Sequence, residues 1–166
     1  MNKSKIILVD DQDNEIGSKY RDELNRETET YRCTGVWITN SKGEVLIAQR
    51  KRTKTKDPLK WGPAVAGTVE EGETYESNAY KELEEELGVT GMRLALGPKR
   101  HVVNSSGRFF GQWFLCSIDK PASEFLIQED EVEQVKWMKR EDLVDDLGQN
   151  PDRYVLSLPD VIHLLP

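Results

Sequence analysis

The sequence has few residues from which a zinc site or a disulfide framework could be built. Its 166 residues include two histidines and two cysteines. Cys33 and Cys116 each lie in a strand-like run, and neither has a second cysteine or histidine at the spacing that zinc sites require. We therefore predict two buried free thiols rather than a disulfide.

Long hydrophobic runs and an excess of positive charge are also missing. No apolar segment approaches the ~18 residues of a membrane span, and the apolar run after Lys5 is too short for a signal peptide. The 30 acidic residues outnumber the 23 lysines and arginines, which gives a net charge of -7. This balance disfavours a broad surface for nucleic acids or anionic membranes, because phosphate would be repelled unless a metal or a local basic patch intervened. We expect a cytoplasmic protein that binds no nucleic acid polymer and no membrane.

The order of elements predicts an α/β fold with a mixed sheet. Strand-like runs cover residues 5–9, 31–38, 44–49, 64–66, 93–103, 108–118 and 132–138, and helical patterns cover 74–87, 140–147 and 152–164, with a partly helical stretch over 18–29. Strands and helices are mixed without a regular βαβ period, which favours a mixed sheet flanked by helices over a doubly wound parallel sheet. Pro159 should kink or split the last helix. We predict a single domain over residues 1–166, with an N-terminal strand and helix extension over 1–30 and a C-terminal helical tail over 148–166.

The segment with the most chemistry is a glutamate-rich helix. Residues 74–87 contain no proline or glycine, and Gly88 is placed to end the helix. At about 100° per residue, Glu82, Glu85 and Glu86 fall on one side, next to an apolar stripe. Three crowded carboxylates are unfavourable by themselves, and a bound cation would reverse that penalty. Mg2+ prefers oxygen ligands and keeps several waters, so this face suits the cleavage of phosphate anhydrides. A solvated charged face is the alternative.

The segment from Gly67 to Val89 resembles the Nudix box. It reads glycine, five residues, Glu73, seven residues, and then Lys81-Glu82-Leu83-Glu84-Glu85-Glu86-Leu87-Gly88-Val89. Every defining position matches except Lys81, where the box usually has arginine. The resemblance implies a Nudix-type α/β/α sandwich with a loop-helix-loop metal site, in which water attacks a diphosphate linkage.

The resemblance also implies roles for individual residues. The metal ligands that it implies are Gly67, Glu82, Glu85, Glu86 and, from the acidic stretch over 129–133, Glu131. The catalytic group that it implies comprises Glu73, Lys81, Glu85 and Glu86. Glu73 would orient the site, and Glu85 or Glu86 would accept the proton of the attacking water. Lysine offers a point charge where arginine offers a bidentate fork, so we expect Lys81 to hold its partner, Glu73 or Glu82, less firmly. The implied cofactor is Mg2+, with Mn2+ as a substitute.

The resemblance extends over residues 6–145 to isopentenyl-diphosphate isomerase and its Nudix hydrolase relatives. The isomerase needs an acid-base pair beside a histidine-rich metal site. In an approximate alignment its cysteine corresponds to Ala66, and two of its histidines correspond to Tyr31 and Thr68. With two histidines in the chain, that metal site cannot be assembled, which favours the hydrolase branch.

We predict Mg2+-dependent hydrolysis of a diphosphate linkage in a nucleoside diphosphate derivative or a related small molecule. The basic stretch over 50–56 would neutralise a terminal phosphate, or it is a solvated loop. The substrate contacts that we predict are Arg32, Arg50, Arg52 and Trp61. An enzyme like isopentenyl-diphosphate isomerase and a non-catalytic Nudix-fold module that binds a nucleotide or a partner are the alternatives. A homodimer is implied by the resemblance alone.

Overall fold

A computed structural model describes residues 4–166. Residues 1–3 of the predicted N-terminal extension lie outside the described residues. The strands are β1 (Lys5–Val9), β2 (Glu15–Tyr20), β3 (Thr30–Thr39), β4 (Glu44–Arg50), β5 (Trp61–Pro63), β6 (Val65–Thr68), β7 (Ala95–Asn104), β8 (Gly107–Ser117) and β9 (Val132–Lys139). The α-helices are α1 (Tyr75–Leu87), α2 (Arg140–Gln149) and α3 (Leu158–Val161), and short 3₁₀ helices cover Arg21–Glu23, Ala122–Glu124, Pro151–Arg153 and Ile162–Leu164. Within the described range, no helix is long and apolar enough to cross a bilayer.

Strand β3 is the centre of a mixed sheet. It runs parallel to β8, from the pair Thr30 and Arg108 to the pair Thr39 and Ser117, and antiparallel to β1, β4 and β6. Strand β4 also pairs with β5 and β9, and β8 pairs with β7. The predicted mixed sheet is confirmed.

Strands β3 and β4 form a hairpin that opens beyond its turn, and this opening positions the site. The two strands are paired where Thr39 faces Val45. Farther along, β6 pairs with β3 and β5 pairs with β4. As a result, Gly67 lies opposite Thr34 of β3, immediately before the loop that leads into α1.

Side-chain alternation along β3 and β4 explains why helices cover both faces of the sheet, since successive residues of a strand point to opposite sides. The buried residues on the α1 face include Val36, Ile38, Leu46, Ala79, Leu83 and Leu87. The buried residues on the other face include Trp37, Val45, Ile47, Leu143, Leu147, Leu158 and Val161. The α/β/α sandwich is therefore confirmed.

Helix α1 begins and ends where its local sequence predicts. The Thr74 hydroxyl accepts a hydrogen bond from the Ser77 N–H at 3.0 Å, and the Ser77 hydroxyl accepts one from the Thr74 N–H at 2.9 Å. This capping box satisfies two N–H groups at the first turn. Gly88 ends the helix with φ of 64°, a conformation in which glycine has no Cβ to clash.

Two helix predictions are largely wrong. The stretch over 18–29 contributes the end of β2 and one 3₁₀ turn, because Ser18 and Lys19 pair with β1 and satisfy the backbone of that strand. The tail has one short α-helix between 3₁₀ turns rather than a helix over 152–164. Pro159 lies in the first turn of α3, where its missing N–H is tolerated. Both cysteines are free, as predicted, but only Cys116 is buried, whereas Cys33 is partly exposed.

A charge cluster joins the turn between β1 and β2 to the sheet and to α1. The Asp13 carboxylate, 9% exposed, accepts hydrogen bonds from Arg32 Nε at 2.7 Å, from the Tyr75 hydroxyl at 2.9 Å and from Lys99. Burial opposes ionisation of Asp13, but the hydrogen bonds from Lys99, Arg32 and Tyr75 outweigh it and lower the pKa. One carboxylate thus pairs with one cation from β3 and one from β7.

Asp13→Asn is expected to lower the free energy of unfolding by about 2 kcal/mol at neutral pH, because Arg32 and Lys99 lose their carboxylate. Asp13 has φ of 65°, which asparagine tolerates, so the change isolates the charge. The folded-state pKa lies below the ordinary 3.8. The stabilisation is therefore present above the unfolded-state pKa and is lost as the pH falls through the folded-state pKa.

Urea unfolding at about pH 7 and about pH 3 should show a wild-type advantage that narrows in acid. Asp11→Asn is the matched control, because that carboxylate is 71% exposed. The control is expected to change stability by less than about 0.5 kcal/mol. An advantage of equal size at both pH values would contradict the role of the Asp13 charge.

Candidate active site

A cavity of about 460 Å³ lies where the carboxylate face of α1 meets strands β3, β4, β6 and β8. Six carboxylates line it, namely Asp57, Glu70, Glu82, Glu85, Glu86 and Glu131. Gly67, Lys81 and Arg50 also line it. The structure therefore brings the glutamates of the helix, the glycine turn and the acidic stretch before β9 to one cavity.

Gly67 makes room for the Glu82 side chain. A Cβ atom built on Gly67 would overlap Cγ, Cδ and Oε1 of Glu82. Gly67 is not among the glycines with positive φ, so space rather than backbone conformation requires glycine here. This close approach places the Glu82 carboxylate directly against the turn that enters the helix.

The surroundings of Glu82 and Glu86 oppose ionisation of their side chains. Burial raises the pKa of Glu82 to about 7, with Lys81 opposing the shift and Glu85 adding to it. Burial raises the pKa of Glu86 well above its ordinary value, and the charge of Glu82 raises it further. Crowded, partly buried carboxylates favour protonation unless a cation compensates them.

The donor set fits a hard divalent cation. In the structure of residues 4–166, no three or more His, Cys, Asp or Glu side chains lie close enough together to hold a metal ion. Three of these carboxylates accept hydrogen bonds in the structure. Glu82 Oε1 accepts from Asn78 at 3.4 Å, Glu86 Oε2 accepts from the Ala66 N–H at 3.3 Å, and Glu131 accepts from Lys54 at 2.6 and 2.7 Å. A carboxylate has further lone pairs, so these contacts leave oxygens for a cation that prefers oxygen ligands.

Lys81 pairs with Glu73 and Glu70 beside the carboxylate face of α1. Its Nζ lies 2.6 Å from Glu73 Oε1 and 3.1 Å from Glu70 Oε2. Glu73 Oε2 also accepts from the Glu70 N–H at 2.9 Å and from Asn78 Nδ2 at 2.8 Å. Burial opposes ionisation of Glu73, but these partners outweigh it and lower the pKa. The pairs tie the loop before α1 to the helix, and we therefore expect Lys81 to be a positioning residue.

Lys81→Met is expected to lower kcat/KM about tenfold, because it removes both ion pairs while keeping a side chain of similar length. Lys81→Arg is the matched variant. Its fork can hold both carboxylates, so it is expected to keep at least wild-type activity. Steady-state kinetics at several Mg2+ concentrations would check both variants. Full activity of Lys81→Met at low Mg2+ would contradict a positioning role.

The predicted substrate contacts lie in different places. Arg50 lines the cavity, whereas Arg32, Arg52 and Trp61 do not. Arg32 is held by Asp13, and the Arg52 backbone N–H donates to Glu133 at 3.3 Å. Trp61 lines a second cavity, where the Lys136 ammonium lies 4.3 Å from its ring centroid. The substrate contacts of all four residues stay predictions.

Asn78 is a site residue that the sequence analysis missed. It is fully buried, and its amide donates to the Thr68 carbonyl at 3.1 Å as well as to Glu73 and Glu82. Its carbonyl accepts from the Thr34 hydroxyl. A buried polar group must be hydrogen-bonded, so Asn78 fixes both glutamates against the sheet. The signal for it was a polar residue one helical turn before Glu82, next to the apolar stripe.

Sequence comparisons connect the chain to known proteins. A family model described as the NUDIX domain matches residues 30–158. An uncharacterized Nudix hydrolase of Pseudomonas aeruginosa is 32% identical over 142 residues, which cover 82% of this chain and 79% of that protein. An uncharacterized Nudix hydrolase of Yersinia pestis is 29% identical over 138 residues, which cover 83% and 74% of the two chains.

Solved structures have the same fold. The crystal structure of DR0079 from Deinococcus radiodurans matches with a TM-score of 0.84 at 21% identity, covering 96% of this chain and 97% of that one. The MutT protein of Methanosarcina mazei Go1 matches with a TM-score of 0.68 at 18% identity, covering 85% and 94%. The family model covers most of the chain, and both of these relatives are Nudix hydrolases. The chain therefore belongs to the Nudix family and is a Nudix hydrolase.

Proposed function

We propose that the protein hydrolyses the diphosphate linkage of a nucleoside diphosphate derivative or a related small molecule. The cofactor would be Mg2+, with Mn2+ as a substitute. The supporting observation is that one cavity holds the α1 glutamates together with Arg50 and Lys54. Carboxylates suit a hard cation, and arginine and lysine suit phosphate oxygens.

In this proposal, Glu82, Glu85 and Glu86 hold the ion together with the main chain at Gly67, and Glu131 is a further ligand or base. When bound, the ion lowers the pKa of water and polarises the phosphate. Glu85 or Glu86 accepts the proton of the attacking water. The Arg50 Nε donates to the Lys56 carbonyl at 3.0 Å, which fixes the guanidinium beside the cavity.

The test incubates the protein with Mg2+ and a panel of nucleoside diphosphate derivatives that includes isopentenyl diphosphate. Phosphate release and isomer formation would both be measured. We expect hydrolysis of at least one compound, and its loss in Glu85→Gln. Binding across the panel without turnover would favour the binding module, and isomer formation would favour the isomerase-like alternative. Size-exclusion chromatography with light scattering would test the homodimer.

A further inference from the structure

Some of the cations that line the cavity form no ion pair with a carboxylate of residues 4–166. Lys54 is paired with Glu131, and Lys81 with Glu73. Arg26 also lines the cavity, and no carboxylate of residues 4–166 forms an ion pair with it. These observations leave a cation facing the cavity in a chain whose net charge is -7.

Lys56, next to Arg26, likewise forms no ion pair with a carboxylate of residues 4–166. Arg26 Nη1 donates to the Tyr31 hydroxyl at 2.7 Å, and its guanidinium lies 5.3 Å from the Tyr31 ring centroid. Lys56 lines the cavity and its Nζ donates to the Ser106 carbonyl at 3.0 Å. Burial lowers the pKa of Lys56, and the neighbouring Arg26 lowers it further. The hydrogen-bond acceptors of these two cations are neutral groups, and Asp57, whose charge also acts on Lys56, forms its ion pair with Lys60.

These cations lie at a distance from the glutamates. Tyr31 is at the start of β3, whereas Gly67, against which Glu82 packs, is paired with Thr34. Three residues along a strand correspond to roughly 10 Å. A diphosphate held at the glutamates therefore leaves the end of the cavity at Arg26 and Lys56, here called the basic end, free for another group of the same molecule.

We propose that the basic end binds a further phosphate, so that the substrate carries a third phosphate besides the diphosphate that is cleaved. This inference rests on the proposed function. A guanidinium and an ammonium that lack carboxylate partners are the groups that bind phosphate by charge-assisted hydrogen bonds. Arg21 and Arg100 also line the cavity and add to its positive potential. The third phosphate either extends the phosphate chain or is a separate phosphomonoester on the nucleoside.

The test compares kcat/KM in Mg2+ for ADP, ATP and adenosine 3′-phosphate 5′-diphosphate, with products separated by ion-exchange chromatography. We expect one of the compounds with three phosphates to exceed ADP by about tenfold or more. A preference for ATP places the third phosphate in the chain, and a preference for the 3′-phosphate places it on the ribose. Equal kcat/KM and equal affinity for the three compounds would overturn the inference.

The variant Arg26→Gln/Lys56→Gln is expected to remove the preference, measured as the ratio of kcat/KM to that of ADP. The variant Lys42→Gln/Arg93→Gln is the matched control, because it makes the same charge change at exposed positions that do not line the cavity. It is expected to keep the ratio, and an equal loss in both variants would overturn the inference. If the first variant does not fold, Lys56→Gln alone is expected to lower the ratio.

Calorimetric binding of the same compounds in EDTA separates this inference from the proposed function. Selective binding that Arg26→Gln/Lys56→Gln abolishes, without hydrolysis of any compound, would overturn the proposed function and support the phosphate site. Hydrolysis of all three compounds at equal efficiency would support the proposed function and overturn the phosphate site. The absence of selectivity in both binding and hydrolysis would overturn the phosphate site.

Discussion

Glu86→Gln is expected to have opposite effects on activity and stability. It should lower kcat for the hydrolysed compound by roughly 10²–10³-fold, because it removes a charge that holds the cation and the reacting groups. In EDTA it should raise Tm. The pKa of Glu86 is raised well above the ordinary 4.5 by burial and by Glu82. Because this carboxyl group ionises more readily in the unfolded chain than in the fold, it destabilises the fold at neutral pH, and its replacement removes that penalty.

Glutamine keeps the local hydrogen bond, since its amide oxygen can still accept from the Ala66 N–H that now donates to Glu86. Glu84→Gln is the matched control, because Glu84 is exposed on α1 and does not line the cavity. The Glu84→Gln variant is expected to change neither kcat nor Tm appreciably. Kinetics and thermal unfolding, each with Mg2+ and with EDTA, would check both variants. A Glu86→Gln variant with wild-type kcat, or with a lower Tm in EDTA, would contradict the assigned role.

Gly67→Ala is expected to lower kcat by roughly 100-fold, the effect of a small displacement of a reacting group. The added methyl group would occupy the space of the Glu82 side chain. Backbone strain is not involved, because Gly67 does not have positive φ. The side chain or the β6 strand must move, and either movement displaces a proposed ligand from the others.

Gly148→Ala provides the control for this change. Gly148 lies in α2, and a Cβ there would meet nothing within 4 Å. Alanine is the better helix former, so this variant should keep full activity and gain slightly in stability. Mg2+ titration and kinetics would be measured for both variants after circular dichroism shows that they are folded. Unchanged Mg2+ dependence and kcat in Gly67→Ala would contradict the inference that the close approach of Glu82 to Gly67 positions a ligand.

Features that depend on neighbouring residues could be predicted from the sequence. Thr74 and Gly88 set the ends of α1 through local hydrogen bonds and backbone conformation. The i+3 and i+4 spacing of the glutamates placed them on one face, and the structure brings them to one cavity. The mixture of strands and helices without a regular βαβ period likewise predicted a mixed sheet flanked by helices.

Features that depend on distant partners could not be predicted. The stretch over 18–29 was expected to be partly helical, yet pairing with β1 makes its beginning a strand. Arg32 was assigned to substrate, but Asp13, 19 residues away, holds its guanidinium. The basic end combines Arg26 from before β3 and Lys56 from after β4. No spacing rule connects such residues, because tertiary pairing alone brings them together.

The parallel pairing of β3 with β8 also has a consequence for how the cavity forms during folding. Thr30 faces Arg108, so the chain must close a loop of roughly 80 residues before this pairing forms, and such non-local contacts slow folding. Strand β6 and helix α1 lie inside that loop, whereas the strands that complete the cavity are its two ends. A peptide spanning Gly67 to Val89 would therefore hold the glutamates without the basic end, and the cavity assembles cooperatively with the whole sheet.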